Sequence, residues 1–304
     1  MLCFLRFVFL TISITSTMTS AAGSAYQARY GTINTSIVED GIMRATIDHA
    51  PINLLDKDLA TDLVGLLRNL AKRDDIKVVV FDSAVPDYFI AHIDVHLLDS
   101  ADPAPSTTNA SEVVGYFVEA TRLLSTIDVI TIAEVNGRAH GPGSEIALQC
   151  DMRFAGPGAL FSQFENSIGI FPAAGAVPFL TKLIGRARTF EYVLAAKGVD
   201  GPTAEKIGWV NTAYDSVEEM KSNVSGLVER IALFPRQSLI ATKKSINYDR
   251  PNDEDLNKDV ATINELRVTP VAEGLMTKFI GLTDNFSKNA FELGMPDDLV
   301  QLYS

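Results

Sequence analysis

The sequence predicts an α/β fold with a helical C-terminal region, and three observations support this prediction. Strand-like and helix-like segments alternate between about residues 42 and 155, which is the pattern of consecutive strand–helix–strand units. From about residue 175 onward the hydrophobic pattern is almost entirely helical. The composition is that of a globular protein, because 47% of the 304 residues are hydrophobic and 21% are charged.

Charge and cysteine content limit the partners of the chain. It has 38 acidic and 26 basic side chains, which gives a formal net charge of −12. Nucleic acids and anionic membrane surfaces are bound through basic patches, so neither is expected as the main partner. The two cysteines cannot build a disulfide scaffold. No histidine shares a metal-ligand spacing with a cysteine or a carboxylate, so no metal site is expected.

The N-terminal residues depart from the overall composition. Residues 1–15 are apolar with one charge, Arg6, and a run of small residues follows at 20–25. This arrangement is typical of a secretory signal peptide, and it is too short for a membrane span. Met18 also begins an ordinary polar N-terminus. Two interpretations therefore stay open: residues 1–25 are a cleaved leader, or residues 1–17 belong to an over-extended gene model.

The first predicted elements form a strand–helix–strand unit. Residues 42–47 alternate between apolar and polar, as a half-buried strand does. Leucines recur at helical spacing between residues 59 and 70, with acids early and bases late in the segment, which favours a helix there. The apolar run IKVVVF at 76–81 is typical of a buried strand.

A second series of elements follows an exposed segment. Residues 99–111 are rich in Pro, Ser and Asp, which indicates a loop. A helix is expected over about 112–125 and a strand over 129–135. A Gly-rich turn then opens a helix that reaches about residue 150, and a short strand covers 152–155.

The remaining chain is predicted to be helical with one interruption. Pro202 and Gly208 bracket a short helix as its first residue and its C-terminal cap, and a strand is expected at 209–213. No repeat and no linker divides the body of the chain. We therefore expect a core over residues 26–215 and a C-terminal helical region over 216–304.

Four motifs in register carry the functional signal. In order they are YFIAHID at 88–94, NGRAHGPGSE at 136–145, QCDMRFA at 149–155, and FSQFE at 161–165 leading into GIFPAAG at 169–175. Their order and spacing resemble the crotonase (enoyl-CoA hydratase/isomerase) superfamily, over about residues 30–290. The resemblance implies a crotonase-like ββα spiral core with a C-terminal helical trimerisation region, and a homotrimer or hexamer.

The resemblance also implies a substrate and a site. The substrate is an acyl thioester, usually of coenzyme A, with no separate cofactor. Its carbonyl oxygen lies between two backbone N–H groups. One belongs to the loop that matches Ala91, and the other to the turn of Gly141, Pro142 and Gly143. At a helix N-terminus, unpaired amides and the helix dipole stabilise an oxyanion.

Two glutamates occupy the acid positions of the hydratases in this superfamily, Glu145 and Glu165. There one carboxyl deprotonates water while the other delivers a proton to the α-carbon, and this needs two different protonation states in a shared apolar pocket. Each residue also has a structural interpretation. An acid such as Glu145 is favoured in the first turn of a helix, and Glu165 could be an acid on a surface loop.

Pro142 departs from the pattern, because it stands where the middle glycine of the turn supplies an N–H. Proline has no N–H to donate, although it is well suited to the first position of a helix. Either Gly141 or Gly143 then presents its amide instead, or the oxyanion site has one donor and hydratase activity is weak or absent.

Two further departures concern the substrate pocket. His92 stands directly after Ala91, where many members have Gly, and either contacts the thioester or its acyl chain or is a hydrogen-bonded loop residue. Phe164 replaces a proline that usually precedes the second glutamate. Its bulk implies a reshaped and more apolar acyl pocket.

The function expected from these residues is hydration or isomerisation of an enoyl-CoA. Alternatives within the fold are a thioester hydrolase or a decarboxylase. An alternative of another class is a catalytically silent acyl-CoA-binding protein, which Pro142 favours. The resemblance implies an intracellular location, in the cytosol, mitochondrion or peroxisome. A true signal peptide at 1–25 would instead place the protein in the secretory pathway, as an extracellular binder.

Overall fold

The structure is a computed structural model that describes residues 29–98 and 110–304, so the predicted leader and most of the predicted loop at 99–111 lie outside it. The described strands are β1 (Arg29–Tyr30), β2 (Ile33–Glu39), β3 (Ile42–Ile47), β4 (Val78–Ser83), β5 (Tyr88–Ile90), β6 (Ile130–Val135), β7 (Arg138–His140), β8 (Met152–Ala155), β9 (Leu160–Ser162), β10 (Val199–Asp200) and β11 (Thr212–Ala213). The described helices are α1 (Lys57–Leu70), α2 (Ala110–Thr126), α3 (Pro142–Gln149), α4 (Ala176–Ile184), α5 (Arg186–Leu194), α6 (Gly201–Ile207), α7 (Val217–Ala232), α8 (Arg236–Ile246), α9 (Asp253–Leu266), α10 (Pro270–Leu282) and α11 (Ala290–Gly294).

The strands form two sheets, and the chain passes repeatedly from one to the other. One sheet has the order β1-β2-β3-β4-β6-β8-β11 and the other β10-β9-β7-β5. Strands β4, β6 and β8 pair in parallel in the first sheet, and β5, β7 and β9 pair in parallel in the second. Each turn of the chain therefore supplies one strand to each sheet and then a helix. This confirms the predicted ββα spiral.

The elements predicted for residues 42–155 are confirmed with small shifts at their ends. The second sheet was not predicted strand by strand, because β5, β7 and β9 have only three residues each, too few for an alternating pattern. The strand predicted at 209–213 is shorter in the structure. The amides of Trp209 and Val210 both donate to the carbonyl of Ala204, at 2.8 and 3.3 Å, and so close the end of α6 instead.

The core lies on both faces of the seven-stranded sheet. Helix α3 is its most enclosed element, with all eight residues buried. On the opposite face α7 covers Val78, Val80 and Ile132 with Met220 and Val224. Cys150, at the end of α3, is a free and buried thiol, and burial raises its pKa to about 12. Within residues 29–98 and 110–304, no helix has both the length and the apolar character that crossing a bilayer requires.

Candidate active site

Helix α3 places the first predicted acid in the interior. Gly141 precedes the helix with φ of 48°, a left-handed conformation that glycine adopts without strain. The amide of Glu145 donates to the carbonyl of Gly141 at 2.9 Å, which fixes Glu145 in the first turn. Its side chain is buried, and one carboxyl oxygen, Oε1, has no hydrogen-bond partner among the described residues.

The second predicted acid lies beside this turn. Glu165 opens a short 3-10 helix, Glu165–Ile168, shortly after β9. A Cβ atom placed on Gly141 would collide with Oε1 of Glu165. The glycine is therefore required twice, for its backbone conformation and for the close approach of this carboxyl.

The two glutamates share one small apolar cavity of about 40 Å³. In liquid water each molecule takes up about 30 Å³, so the cavity is close to the size of one water molecule. Pro142 and Phe164 also contribute to its wall. The remaining lining is apolar: Ile93, Leu98, Val114, Phe117, Val118, Ile168, Ile170, Phe171, Ala173, Val260 and Ile263. The structure thus brings Glu145, Glu165, Pro142 and Phe164 together, at the position the motifs predicted.

Burial perturbs both carboxyls strongly. Burial raises the pKa of Glu145 well above its ordinary value, and the charges of Glu165 and Asp259 raise it further. Burial also raises the pKa of Glu165, to about 8, against a smaller lowering by hydrogen bonding and by the charge of His92. Two neighbouring carboxyls of this kind titrate as a pair. Near neutral pH the pair therefore retains at least one proton, so at least one carboxyl is available as an acid.

This arrangement predicts an unusual dependence of stability on pH. Both glutamates have folded-state pKa values above the unfolded value of about 4.3, so between about pH 4.5 and 8 the folded state binds more protons than the unfolded state. The free energy of unfolding should therefore fall as pH rises through this window, by up to about 1.4 kcal/mol per pH unit for each group. The free energy of unfolding, measured with urea at several pH values, should fall less steeply with pH in E165Q than in the unsubstituted protein. An equal dependence on pH in the two proteins would contradict the perturbed pKa values of the pair.

Sequence reasoning missed two polar neighbours of the pair. With the Gln163 amide oriented to satisfy its partners, its nitrogen donates to Oε2 and Oε1 of Glu165 at 3.2 and 3.3 Å, and its oxygen accepts from Ser144 at 3.2 Å. Asp259 of α9 accepts from the Gly175 amide at 2.9 Å. Gln163 lies inside a motif and was open to prediction, whereas Asp259 carries no sequence signal because it is 114 positions away from Glu145.

The loop after β5 presents a different amide from the one predicted. The Ala91 N–H donates to the Ile52 carbonyl at 3.2 Å, so it is already paired. Leu55 N donates to the His92 carbonyl at 2.8 Å, and the Asp94 amide donates to the Leu55 carbonyl at 3.1 Å. These bonds turn the Ile93 N–H away from Leu55, because N–H and C=O of one peptide point in opposite directions. Among the described residues this amide has no acceptor, and Ile93 lines the cavity.

The Gly-rich turn leaves one usable amide near its centre. The Gly141 N–H donates to the Ser162 carbonyl at 2.9 Å, and Pro142 has none. The Gly143 N–H, in the first turn of α3, has no acceptor within the described parts of the chain. Its Cα lies so close to the Ile90 carbonyl that a Cβ atom would overlap with it. The Ile93 and Gly143 amides, which have no acceptor among the described residues, are therefore candidate donors to an oxyanion.

His92 lies behind the cavity wall and not on it, which corrects its expected place in the substrate pocket. Its side chain is fully buried. Nδ1 lies 2.7 Å from the Ile93 carbonyl and Nε2 lies 2.8 Å from Oε1 of Glu292. Both ring nitrogens are therefore occupied, as in the alternative expectation of a hydrogen-bonded loop residue.

Known proteins share this architecture. Residues 38–270 match the family model of enoyl-CoA hydratase/isomerase. A "probable enoyl-CoA hydratase 2, mitochondrial" of Arabidopsis thaliana is 29% identical over 57% of this chain and 56% of its own length. The methylglutaconyl-CoA hydratase of Homo sapiens mitochondria is 30% identical over 61% of this chain and 52% of its own. The chain thus spans little more than half the length of these two curated relatives.

Solved structures match over a greater length. The crystal structure of a candidate enoyl-CoA hydratase from Streptomyces avermitilis has a TM-score of 0.80 and 35% identity, covering 91% of this chain and 99% of that one. An enoyl-CoA hydratase from Bacillus halodurans shares the fold with a TM-score of 0.75 at 22% identity, over 81% of this chain and 99% of that one. With the spiral core and the paired glutamates in place, the chain belongs to the enoyl-CoA hydratase/isomerase family.

Proposed function

We propose that this protein hydrates or isomerises an enoyl-CoA thioester. The observation that carries the proposal is the pair of buried carboxyls, Glu145 and Glu165, which line one small apolar cavity. Coenzyme A takes part as the carrier of the acyl group, and the relatives named for CoA thioesters support this substrate class.

The chemistry follows from the two protonation states. The ionised carboxyl takes a proton from water or from the substrate, and the protonated one delivers a proton to carbon. Negative charge collects on the thioester oxygen during either reaction. Amide N–H groups fixed before the reaction stabilise this oxyanion with little reorganisation, and Ile93 is the first donor that we propose for it.

The direct test is turnover of a panel of enoyl-CoA thioesters of increasing chain length. Hydration removes the conjugated double bond, and loss of its ultraviolet absorbance measures the rate. Isomerisation of a 3-enoyl-CoA produces the same absorbance. Turnover that depends on both glutamates supports the proposal. Binding of acyl-CoA without turnover would favour the silent binding protein that Pro142 suggests.

Pro142 is expected to limit the rate. Because it has no N–H at the first position of α3, we propose that Ile93 acts as the main oxyanion donor. P142G restores an amide at that position, and one such donor contributes about 100-fold to turnover in other enzymes. We therefore expect a clear increase in kcat on crotonyl-CoA, measured beside the thermal stability of the variant. An unchanged kcat in a folded variant would show that Gly143 already supplies the second donor.

We also propose a homotrimer or hexamer in an intracellular compartment. Exposed apolar side chains in the C-terminal helical region, including Ile246, Val268 and Val271, favour contacts with further subunits. The relatives named as mitochondrial support the location. Sedimentation analysis tests the assembly, and N-terminal sequencing of the native protein shows whether residues 1–25 are removed.

A further inference from the structure

The acid–base chemistry assigns no role to the buried ionisable pair of His92 and Glu292. His92 and Glu292 are both fully buried, and Nε2 of His92 lies 2.8 Å from Oε1 of Glu292. Glu292 belongs to α11, 200 residues further along the chain. The pair thus joins the C-terminal segment to the loop that presents Ile93.

Hydrogen bonding determines where the protons of this pair lie. A carbonyl oxygen only accepts, so Nδ1 of His92 carries a hydrogen and donates it to Ile93. Nε2 and Glu292 then share one further proton. Burial acts to lower the pKa of His92, but the charge and hydrogen bond of Glu292 outweigh it and raise the pKa overall. The raised pKa favours the imidazolium form of His92 beside Glu292.

The residues around His92 exclude water and so let its positive charge act on the catalytic glutamates. Three aromatic rings meet His92 edge-on, those of Phe164, Phe279 and Phe286, with ring centroids 6.0, 5.2 and 5.4 Å away. They exclude water, and charges interact more strongly where water is excluded. Phe164 directly precedes Glu165, and the charge of His92 lowers the pKa of that carboxyl.

Other titratable groups near His92 are few. Asp94 in its own loop adds to the raised pKa of His92. On β7 the charge of His92 helps to lower the pKa of His140, to about 3, although burial is the larger cause there. His140 is therefore neutral at the pH of the reaction. The interactions of His92 with the carboxyl groups of Glu165 and Glu292 are therefore the ones that bear on catalysis.

We propose that the His92–Glu292 ion pair is a positioning unit for the active site, which fixes the loop that carries Ile93 and holds a positive charge near Glu165. This inference rests on the proposed function for its catalytic consequence, while the ion pair and its effect on Glu165 can be measured without turnover. Loss of the charge lets Glu165 keep its proton to higher pH.

The test compares E292Q with E134Q. Glu134 is also buried and ion-paired, with Arg44 at 2.7 Å, but it lies on β6 and outside the cavity. Both variants replace a buried carboxylate by an amide of the same shape. Imidazole nitrogen signals of His92 and the carboxyl carbon signal of Glu165 are followed by NMR as pH is raised, and the profile of kcat/KM is measured on the same samples.

We expect His92 to titrate at lower pH in E292Q than in the unsubstituted protein. We expect the pKa of Glu165, and the alkaline limb of the kcat/KM profile, to move up by about one pH unit, the lower end of the range for a lost neighbouring charge. E134Q should match the unsubstituted protein in all three. Titrations of His92 and Glu165 that do not move in folded E292Q would overturn the proposal, whether or not an enoyl-CoA is turned over. A failure of turnover with normal NMR shifts would instead count against the proposed function.

Discussion

E145Q and E165Q should each lower kcat for an enoyl-CoA by about 10²- to 10⁴-fold, the usual contribution of a positioned acid or base. An amide keeps the shape of the carboxyl but neither accepts nor delivers the proton. Affinity for a saturated acyl-CoA should change little, because neither substitution removes apolar contacts from the cavity. Steady-state kinetics and calorimetric titration with butyryl-CoA measure the two quantities.

The same variants carry an internal control. Both replace a group whose ionised form is destabilised by burial, so above pH 8 they should be at least as stable as the unsubstituted protein. Loss of activity therefore cannot be attributed to unfolding. Turnover within threefold of the unsubstituted rate in both variants would show that the pair is buried for structural reasons alone.

G143A should destabilise the protein and disrupt the oxyanion site together. The added methyl group would overlap with the Ile90 carbonyl at the end of β5, so α3 and the loop that carries Ile93 must move apart. Overpacking of this kind costs about 1–3 kcal/mol of the free energy of unfolding. We therefore expect G143A to unfold at a lower temperature and to turn over an enoyl-CoA more slowly than the unsubstituted protein.

G226A is a matched control for this substitution. Gly226 lies in α7, and a Cβ atom there meets nothing within 4 Å. Alanine is a better helix former, so G226A should raise the free energy of unfolding by about 0.5–1 kcal/mol and leave kcat unchanged. If G143A changed the free energy of unfolding and kcat no more than G226A does, the close approach of α3 and β5 would be contradicted.

The regular part of this fold was predictable because long elements carry their own periodicity. The leucines of α1 and the alternation of β3 depend on local burial alone. The spacing of the motifs singled out Glu145 and Glu165, and both line one cavity in the structure. The short strands β5, β7 and β9 escaped prediction, since three residues show no period.

The details of the site depended on long-range contacts that no local pattern reveals. Ala91 matched the motif, yet its amide is paired with Ile52, 39 positions earlier. Among the described residues the Ile93 amide is left without an acceptor because Leu55 forms its hydrogen bonds on the opposite side of the loop. For His92 the sequence left open a contact with the substrate or a hydrogen-bonded place in the loop, because its partner, Glu292, lies 200 residues away.

The central claim is that Glu145 and Glu165 move protons at the α-carbon of an acyl thioester held by Ile93. Exchange of the α-hydrogens of butyryl-CoA in D₂O, followed by mass spectrometry, tests it most directly, because every reaction through an enolate shares this step. The unsubstituted protein should incorporate deuterium faster than buffer does, and E145Q and E165Q should not. Butyryl-CoA that binds but exchanges no faster than in buffer would contradict the claim.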